Sequence, residues 1–595
     1  MNELSVHLWY ENGRLWARTP FAPHLPERFR SVGGRWVPNR ELWVFPPGSL
    51  FALPAEVFPP EAVQGVWQAV RDDLVAAWSR VEELGWEGKL LPEQVEDVRV
   101  LWRAFSRFLR GQGPRGFLLA NGTGTGKTYV YSVFALLVRS LGYEPLVVVP
   151  NEDILRQVQG VLARFGAGAV ITTYGRFDPK GVGSFHALIL DEAHFAKRIS
   201  SGASRRGIRV LQGAFRAGFV LYVTATPFDR PWEAEYILKP TGFHRYLGYG
   251  DLDAFFADYG VFTRIGFSGG KEYYFGGTVE DLKRFHHTLT ARGFMRKRLF
   301  VPDQPVEYEV RVLQGITPED KALLAEVRRR LKYAASRALS GEKGIVMAHR
   351  TLLSRAMLER MKLKASMDLI RSLLEEGWHV LLFVQYRAEK ALDLSTPEGM
   401  EALWDEAEAR GGKILHQYLL PALYGLSLYF PSPVEMVQEA FGYLGEALAF
   451  YTGGGTGASL RRTRERWDRG EVRLLVATAA KGGTGLSLHD TTGKRPTAQV
   501  VLTLPWTATQ LDQVLGRVVR VGMKSPVRVV FPAAPVPFER RLGQAIAQTL
   551  ATLGNAVRGG ENVVPEEVVE AFLYDLASVD PGAFQRLLLE EEAVV

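Results

Sequence analysis

Asn121-Gly-Thr-Gly-Thr-Gly-Lys-Thr128 concentrates more usable chemistry than any other stretch of the chain. Gly122, Gly124 and Gly126 carry no Cβ, so the backbone N–H groups around them, with those of Thr123 and Thr125, can converge on phosphate oxygens. Lys127 brings a cation to the β/γ-phosphates, and Thr128 a hydroxyl to Mg²⁺. Such a loop ordinarily opens with Gly or Ala, and here that position is Asn121. Downstream, Leu188-Ile-Leu-Asp-Glu-Ala-His194 ends an apolar run in two adjacent carboxylates. Asp191 is expected to hold Mg²⁺ through water, and Glu192 to orient and deprotonate the attacking water. Much later, Gln513-Val-Leu-Gly-Arg-Val-Val-Arg520 spaces two arginines three apart. On a helix, Arg517 and Arg520 would share one face and could stabilise charge developing on a γ-phosphate. Leu511, Val514, Leu515 and Val518 make that helix largely apolar, and a buried helix rarely carries unpaired arginines. The three sets together predict a site that binds and hydrolyses a nucleoside triphosphate with Mg²⁺.

These groups need elements to hold them. The apolar run Phe117–Ala120 reads as a strand and Tyr129–Leu141 as a helix, the context a phosphate loop requires. The runs 146–149, 170–173, 187–190 and 220–223 alternate with helical patterns, which predicts a parallel sheet covered by helices. Ligands bind at the carboxyl ends of such strands, where Asp191 and Glu192 fall. A second alternating region starts near Met367 and includes the runs 380–384, 474–476 and 500–503. The expected fold class is α/β, with two tandem parallel-sheet lobes, a small α+β N-terminal domain and helical insertions. Five segments are expected: an aromatic-rich domain over 1–60, a helical bridge over 61–110, a first lobe over 111–300 with an aromatic insertion (229–300), a second lobe over 301–537 with a helical insertion (391–447), and a helical tail over 538–595. In the first segment, Asn12-Gly13 between alternating stretches predicts a hairpin, a short helix follows around 25–32, and a second hairpin turns at Pro38-Asn39. Trp36 and Trp43 are expected in its core.

Composition sets the class. Lys and Arg number 72 against 65 Asp and Glu, a net charge of +7 that suits a phosphate-backbone partner. Zero cysteines exclude disulfides and thiolate metal sites. No apolar run is long enough to span a membrane, and Met1–Tyr10 lacks a signal-peptide layout, so a cytoplasmic protein without a membrane partner is expected. No nuclease constellation is present, and no cutting is expected.

The ordered motifs, from about residue 90 to 535, resemble a superfamily 2 helicase/translocase core. Within it, Ile171-Thr-Thr-Tyr174, the 363–385 segment and Arg520-Val-Gly-Met-Lys-Ser-Pro526 are similar to Swi/Snf-type and strawberry-notch-like ATPases, although those usually have Gln where this chain has Met523. Residues 34–45, through Arg35, Trp36 and Trp43, resemble the HARP-like module of annealing-type helicases. The resemblance implies two RecA-like lobes gripping ATP and Mg²⁺, with DNA (duplex, forked or branched, single-stranded in some members) lying across both. It further implies that Gln94 reads the adenine edge, that Gly485 and Gln513 touch the nucleotide, and that His194 with Thr224 and Thr226 of Thr-Ala-Thr couples the hydrolytic site to motion. Nucleic-acid contacts are implied for Pro150, Asn151, Thr172, Thr173, Arg176, Gly483 and Thr484. The implied activity is an ATP-dependent DNA translocase or helicase. An ATP-gated binding subunit of a larger complex and an RNA-directed helicase are the alternatives.

Overall fold

Asn12 and Gly13 turn the first hairpin because both adopt positive φ (51° and 72°), the geometry that a two-residue turn needs. Strands β1 (His7–Glu11) and β2 (Arg14–Arg18) pair antiparallel; after helix α1 (Leu25–Ser31), β3 (Arg35–Val37) and β4 (Leu42–Phe45) complete a sheet of order β1-β2-β4-β3. Trp43 is buried as expected. Trp36 is not: it stays 42% exposed, because β3 is an edge strand. The computed structural model describes residues 6–541 and 543, apart from 198, 200–203, 266–269, 386–387, 402–411, 454–456, 479–486 and 506–507. It forms two units, one running to Phe300 and one beginning at Val301.

In the first unit, α2 (Pro60–Trp86) and α3 (Pro92–Leu109) lead into the alternation the sequence requires: β5 (Gly116–Leu119), α4 (Lys127–Ser140), β6 (Glu144–Val149), α5 (Glu152–Phe165), β7 (Val170–Thr173), β8 (His186–Asp191), α6 (Arg205–Arg216) and β9 (Phe219–Val223). The chain then passes through three short helices, α7 (Glu235–Thr241), α8 (Phe243–Tyr246) and α9 (Leu252–Ala257), a hairpin of β10 (Val261–Ile265) and β11 (Lys271–Phe275), and α10 (Val279–Ala291). This segment does not remain outside the lobe. It returns as β12 (Met295–Arg296), which pairs with β5 and makes a six-stranded parallel sheet of order β12-β5-β9-β8-β6-β7. Two residues are too few for any periodicity to announce.

One continuous core runs from Leu15, Phe29 and Trp43 of the N-terminal sheet, through Val70 of α2 and Phe105 of α3, to Phe134 and Phe219 of the lobe. Phe105 sits edge-on to Phe134, Tyr143 and Phe219, with ring centroids 5.6, 5.6 and 5.1 Å away. Truncating a buried phenylalanine to alanine typically costs about 3–5 kcal/mol, so this junction is a main source of cohesion.

The second unit opens with β13 (Val306–Val312), earlier than the alternation at Met367 indicated, followed by α11 (Pro318–Arg337), α12 (Ser340–Ala365), α13 (Met367–Glu375) and β14 (His379–Val384). The 391–447 stretch is not wholly helical. Between α14 (Pro397–Glu401) and α15 (Leu420–Leu423) it includes residues outside those described, and an antiparallel pair of β15 (Leu392–Asp393) and β16 (Tyr429–Phe430) frames it. Its last helix, α16 (Pro433–Phe441), buries Met436, Val437 and Phe441 in the lobe's own core. Then come β17 (Leu448–Tyr451), α17 (Gly457–Asp468), β18 (Leu474–Thr478), β19 (Thr497–Val501), the helix Ala508–Leu515 and β20 (Val527–Ala533). The sheet order is β13-β20-β19-β14-β18-β17, parallel throughout. Two six-stranded parallel sheets flanked by helices make the fold α/β with tandem RecA-like lobes. The expected helical tail lies outside the described residues except for 538–541 and 543.

Candidate nucleotide-hydrolysis site

The loop between β5 and α4 holds its shape with glycine. Gly124 and Gly126 take φ of 80° and 81°, and a Cβ on Gly126 would stand 2.3 Å from Gln94 Nε2. Lys127 Nζ donates to the carbonyls of Asn121 (3.0 Å) and Gly122 (3.1 Å), and Thr125 Oγ1 donates to Gly122 O (2.8 Å). Gln94 is buried against this loop. Its Oε1 accepts from Leu91 N–H (3.0 Å), capping α3, while Nε2 makes a long 3.5 Å bond to Thr125 O.

Asn121 finds its reason one helical turn beyond Gln94. Its Nδ2 donates to Asp97 Oδ2 at 2.7 Å, and both residues are fully buried. Asp97 also accepts from Arg296 Nε (2.9 Å) and an Arg298 terminal nitrogen (2.7 Å). A buried carboxylate without a paired charge is expensive, and Arg296 of β12 together with Arg298 just beyond it supplies the two guanidiniums that offset it. Sequence reading missed all three residues. The i, i+3 spacing of Gln94 and Asp97 on one helix was available as a signal; nothing local marks Arg296 or Arg298.

At the carboxyl end of β8, Asp191 is buried between two tyrosines. Tyr131 O–H donates to its Oδ2 (2.9 Å) and Tyr174 O–H to its carbonyl (2.8 Å). Burial, then the charge of Glu192, pushes the Asp191 carboxyl up to about 7, against the opposing pull of Tyr131 and Lys127. Glu192 sits at φ 49°, ψ 50°, a left-handed conformation costing a side-chain-bearing residue about 1–2 kcal/mol and often found at functional positions. Its Oε2 lies 3.4 Å from His194 Nδ1, which in turn lies 3.0 Å from Thr224 Oγ1, and that hydroxyl accepts from Thr226 N–H at 3.2 Å. Burial draws the His194 pKa down, with Glu192 opposing. A polar relay therefore joins the end of β8 to the end of β9.

Tyr131 neighbours both Thr128 and Asp191, so the two expected metal-side oxygens belong to one cluster. A hydroxyl and a carboxylate are hard donors that suit Mg²⁺. Among the described residues no group of three or more His, Cys, Asp or Glu could hold a metal alone.

In the second unit, Leu511, Val514, Leu515 and Val518 are buried as expected. The helical face is not there: the helix ends at Leu515, and Arg517 and Arg520 lie in the turns beyond it, where Arg517 N–H and Val518 N–H bond three residues back instead of four. Arg517 is buried, and its carbonyl accepts from Leu488 N–H at 2.9 Å; Arg520 and Gln513 are half-buried. Gly483, Thr484 and Gly485 lie outside the described residues. Pro150 and Asn151 follow β6, and Thr172 and Thr173 close β7, at the same carboxyl-end edge as Asp191. Asn151 Oδ1 caps α5 by accepting from Ile154 N–H (3.0 Å), and Arg176 pairs with Glu152.

Residues 87–179, which include Gln94 and the phosphate loop, match the family model described as type III restriction enzyme, res subunit. A protein of Acanthamoeba polyphaga mimivirus named as an ATP-dependent RNA helicase, L364, is 35% identical over 91 residues, 15% of this chain and 16% of the relative's length. Solved structures that resemble the chain include the Sulfolobus solfataricus SWI2/SNF2 ATPase core in complex with dsDNA (15% identity, TM-score 0.29, 81% of this chain and 96% of the other). Another is Saccharomyces cerevisiae Dbp5 bound to RNA and ADP BeF3 (12% identity, TM-score 0.36, 83% and 99%). No helix among the described residues is long and apolar enough to cross a membrane. The family likeness is thus confined to the segment that carries Gln94 and the phosphate loop, the loop that joins β5 to α4 in the first of the two parallel sheets.

Proposed function

We propose that this protein hydrolyses ATP to move along or remodel DNA. The observation that carries the reading is the meeting of Lys127, Thr128, Asp191 and Glu192 at the carboxyl ends of β5 and β8, with Glu192 wired through His194 to Thr224. In this reading the loop N–H groups and Lys127 bind the phosphates, and Gln94 reads the adenine edge. Thr128 and Asp191 would hold Mg²⁺, which would supply positive charge against the phosphates. Glu192 orients the attacking water and takes its proton. Arg517 and Arg520 of the second unit stabilise the charge that develops on the γ-phosphate. The relay to Thr224 and Thr226 reports the state of the hydrolytic site to the segment that follows β9. Pro150, Asn151, Thr172, Thr173 and Arg176 line the nucleic-acid path, joined by Gly483 and Thr484, with Gly485 and Gln513 on the nucleotide. Segments 1–60 and 61–110 serve as accessory module and bridge to lobes at 111–300 and 301–537.

Lys127→Ala and Glu192→Gln should each lower nucleic-acid-stimulated turnover by at least about 10²–10³-fold with the melting temperature retained. Undiminished turnover in either variant overturns the assignment. The name of the mimivirus relative favours RNA as a second reading. ATPase rates measured in parallel with single-stranded DNA, duplex, fork, four-way junction and RNA decide between them. Turnover that no nucleic acid stimulates supports an ATP-gated binding subunit instead.

A further inference from the structure

The hydrolytic chemistry occupies the carboxyl ends of the first sheet, yet its amino ends also hold a built feature, a groove of 740 Å³ within the first unit. One wall is the N-terminal sheet with the end of α1; the other is formed by the starts of β5, β6 and β8 with the end of α6. The walls are fastened together. Ser184 Oγ donates to Gly33 O (2.8 Å), Gly48 N–H donates to the Tyr143 hydroxyl (3.0 Å), and Gly13 meets Gly142 so closely that a Cβ on Gly13 would lie 2.4 Å from the Gly142 nitrogen. Strands of four to six residues put this groove roughly 13–20 Å from the phosphate loop.

Its charge is one-sided. Arg14, Arg30, Arg35, Arg115, Lys180 and Arg216 line it, against the single carboxylate of Glu144. Helices α1, α3, α4 and α6 end beside it, and their carbonyl termini contribute about −0.5 each. With Glu144 that totals about −3, so roughly three of the six positive charges are left over. Arg115 is the most enclosed of these cations. It is held only by the carbonyls of Pro240 (2.9 Å) and Ala217 (2.7 Å), with no carboxylate ion pair among the described residues. The groove also presents aromatic surface: Arg14 and Arg35 lie 4.2 and 5.6 Å from the ring centroid of Phe185, and Phe215 is half-exposed. Clustered cations interleaved with aromatic rings are what binds single-stranded nucleic acid without sequence preference, the backbone by charge and the bases by stacking. The volume suits a few nucleotides.

We propose that this groove is a second nucleic-acid site, taking the phosphodiester backbone of a single strand at the end of the lobe opposite the hydrolytic centre. Arg35 and Lys180, one on each wall, are exposed and outside the hydrolytic machinery. Binding of a fluorescein-labelled oligothymidylate, measured by anisotropy without nucleotide over a range of salt, tests it. Arg35→Glu/Lys180→Glu should weaken binding about tenfold or more and flatten the log–log salt slope by about 1.4, two phosphates' worth for a single strand. Basal ATPase and melting temperature should stay as in the parent. Arg30→Glu/Arg216→Glu, another exposed pair spanning both walls, repeats the test should the first pair melt lower. Affinity and slope equal to the parent's overturn the proposal. So does an equal loss from Lys283→Glu/Arg292→Glu, an exposed pair elsewhere in the unit. Because no ATP is present, failure of nucleic-acid-stimulated turnover would leave this result standing.

Discussion

Asp97 sets the conditions under which the phosphate loop works, although it touches no phosphate. It gathers Asn121, Arg296 and Arg298 around one buried carboxylate, so removing it strands two guanidiniums and an amide together. Asp97→Ala should cost about 3–5 kcal/mol of stability, and Asp97→Asn less, since an amide oxygen still accepts. Thermal unfolding checks the first effect. Steady-state kinetics checks the second, because a displaced Asn121 should raise KM for ATP more than it lowers kcat. At this scale the sequence was readable where a residue type is chemically obligatory. Lys127, Asp191 and Glu192, picked out by type and spacing, do come together, close enough for the charges of Lys127 and Glu192 to act on Asp191. Tyr131 and Tyr174 escaped notice because a tyrosine on an apolar element is ordinarily core, and only the fold aims their hydroxyls at Asp191.

The arginine segment shows what an element adds. Arg517 and Arg520 lie beyond the end of their helix, and the Arg517 carbonyl is tied to a neighbouring loop organised by Asp490. Asp490 accepts from Thr492 Oγ1 (2.7 Å), from the N–H groups of Thr492, Gly493 and Arg495 (2.9, 2.9 and 3.0 Å) and from Ser525, while Leu488 N–H and Lys524 N–H tie the loop to the arginine segment and to its exit. Burial alone would raise the Asp490 pKa. The hydrogen bonds from Ser525, Thr492 and the backbone outweigh it and hold the carboxyl well below the usual range. In acid the unfolded chain therefore takes up this proton before the folded one does. The stabilisation is complete above about pH 4 and drains away as pH falls toward the folded pKa. Asp490→Ala should lose about 3 kcal/mol at pH 7, and the gap from the parent should close in denaturation curves taken below pH 4. Its ATPase should fall as well, through misplaced arginines. Helix periodicity could not have foretold this geometry, since the helix ends at Leu515 in the middle of an apparently continuous pattern.

Across the whole molecule, alternation of strands and helices made both lobes legible, whereas the joins were not, because they depend on contacts between residues far apart in sequence. The N-terminal sheet shares its core with α2, α3 and the first lobe. A chain starting at Pro60 should accordingly expose apolar surface, binding the dye ANS and yielding to protease faster than the full chain. The strand order carries one more consequence, and it concerns time. β12 closes beside β5 only after some seventy intervening residues, from the end of β9 to Met295, have been arranged, and it alone brings Arg296 and Arg298 to Asp97. Closing so long a loop is slow relative to local helix formation. During refolding from denaturant, far-ultraviolet circular dichroism should recover before binding of a fluorescent ATP analogue. A newly made chain would thus look finished well before Asp97 had its partners around the phosphate loop.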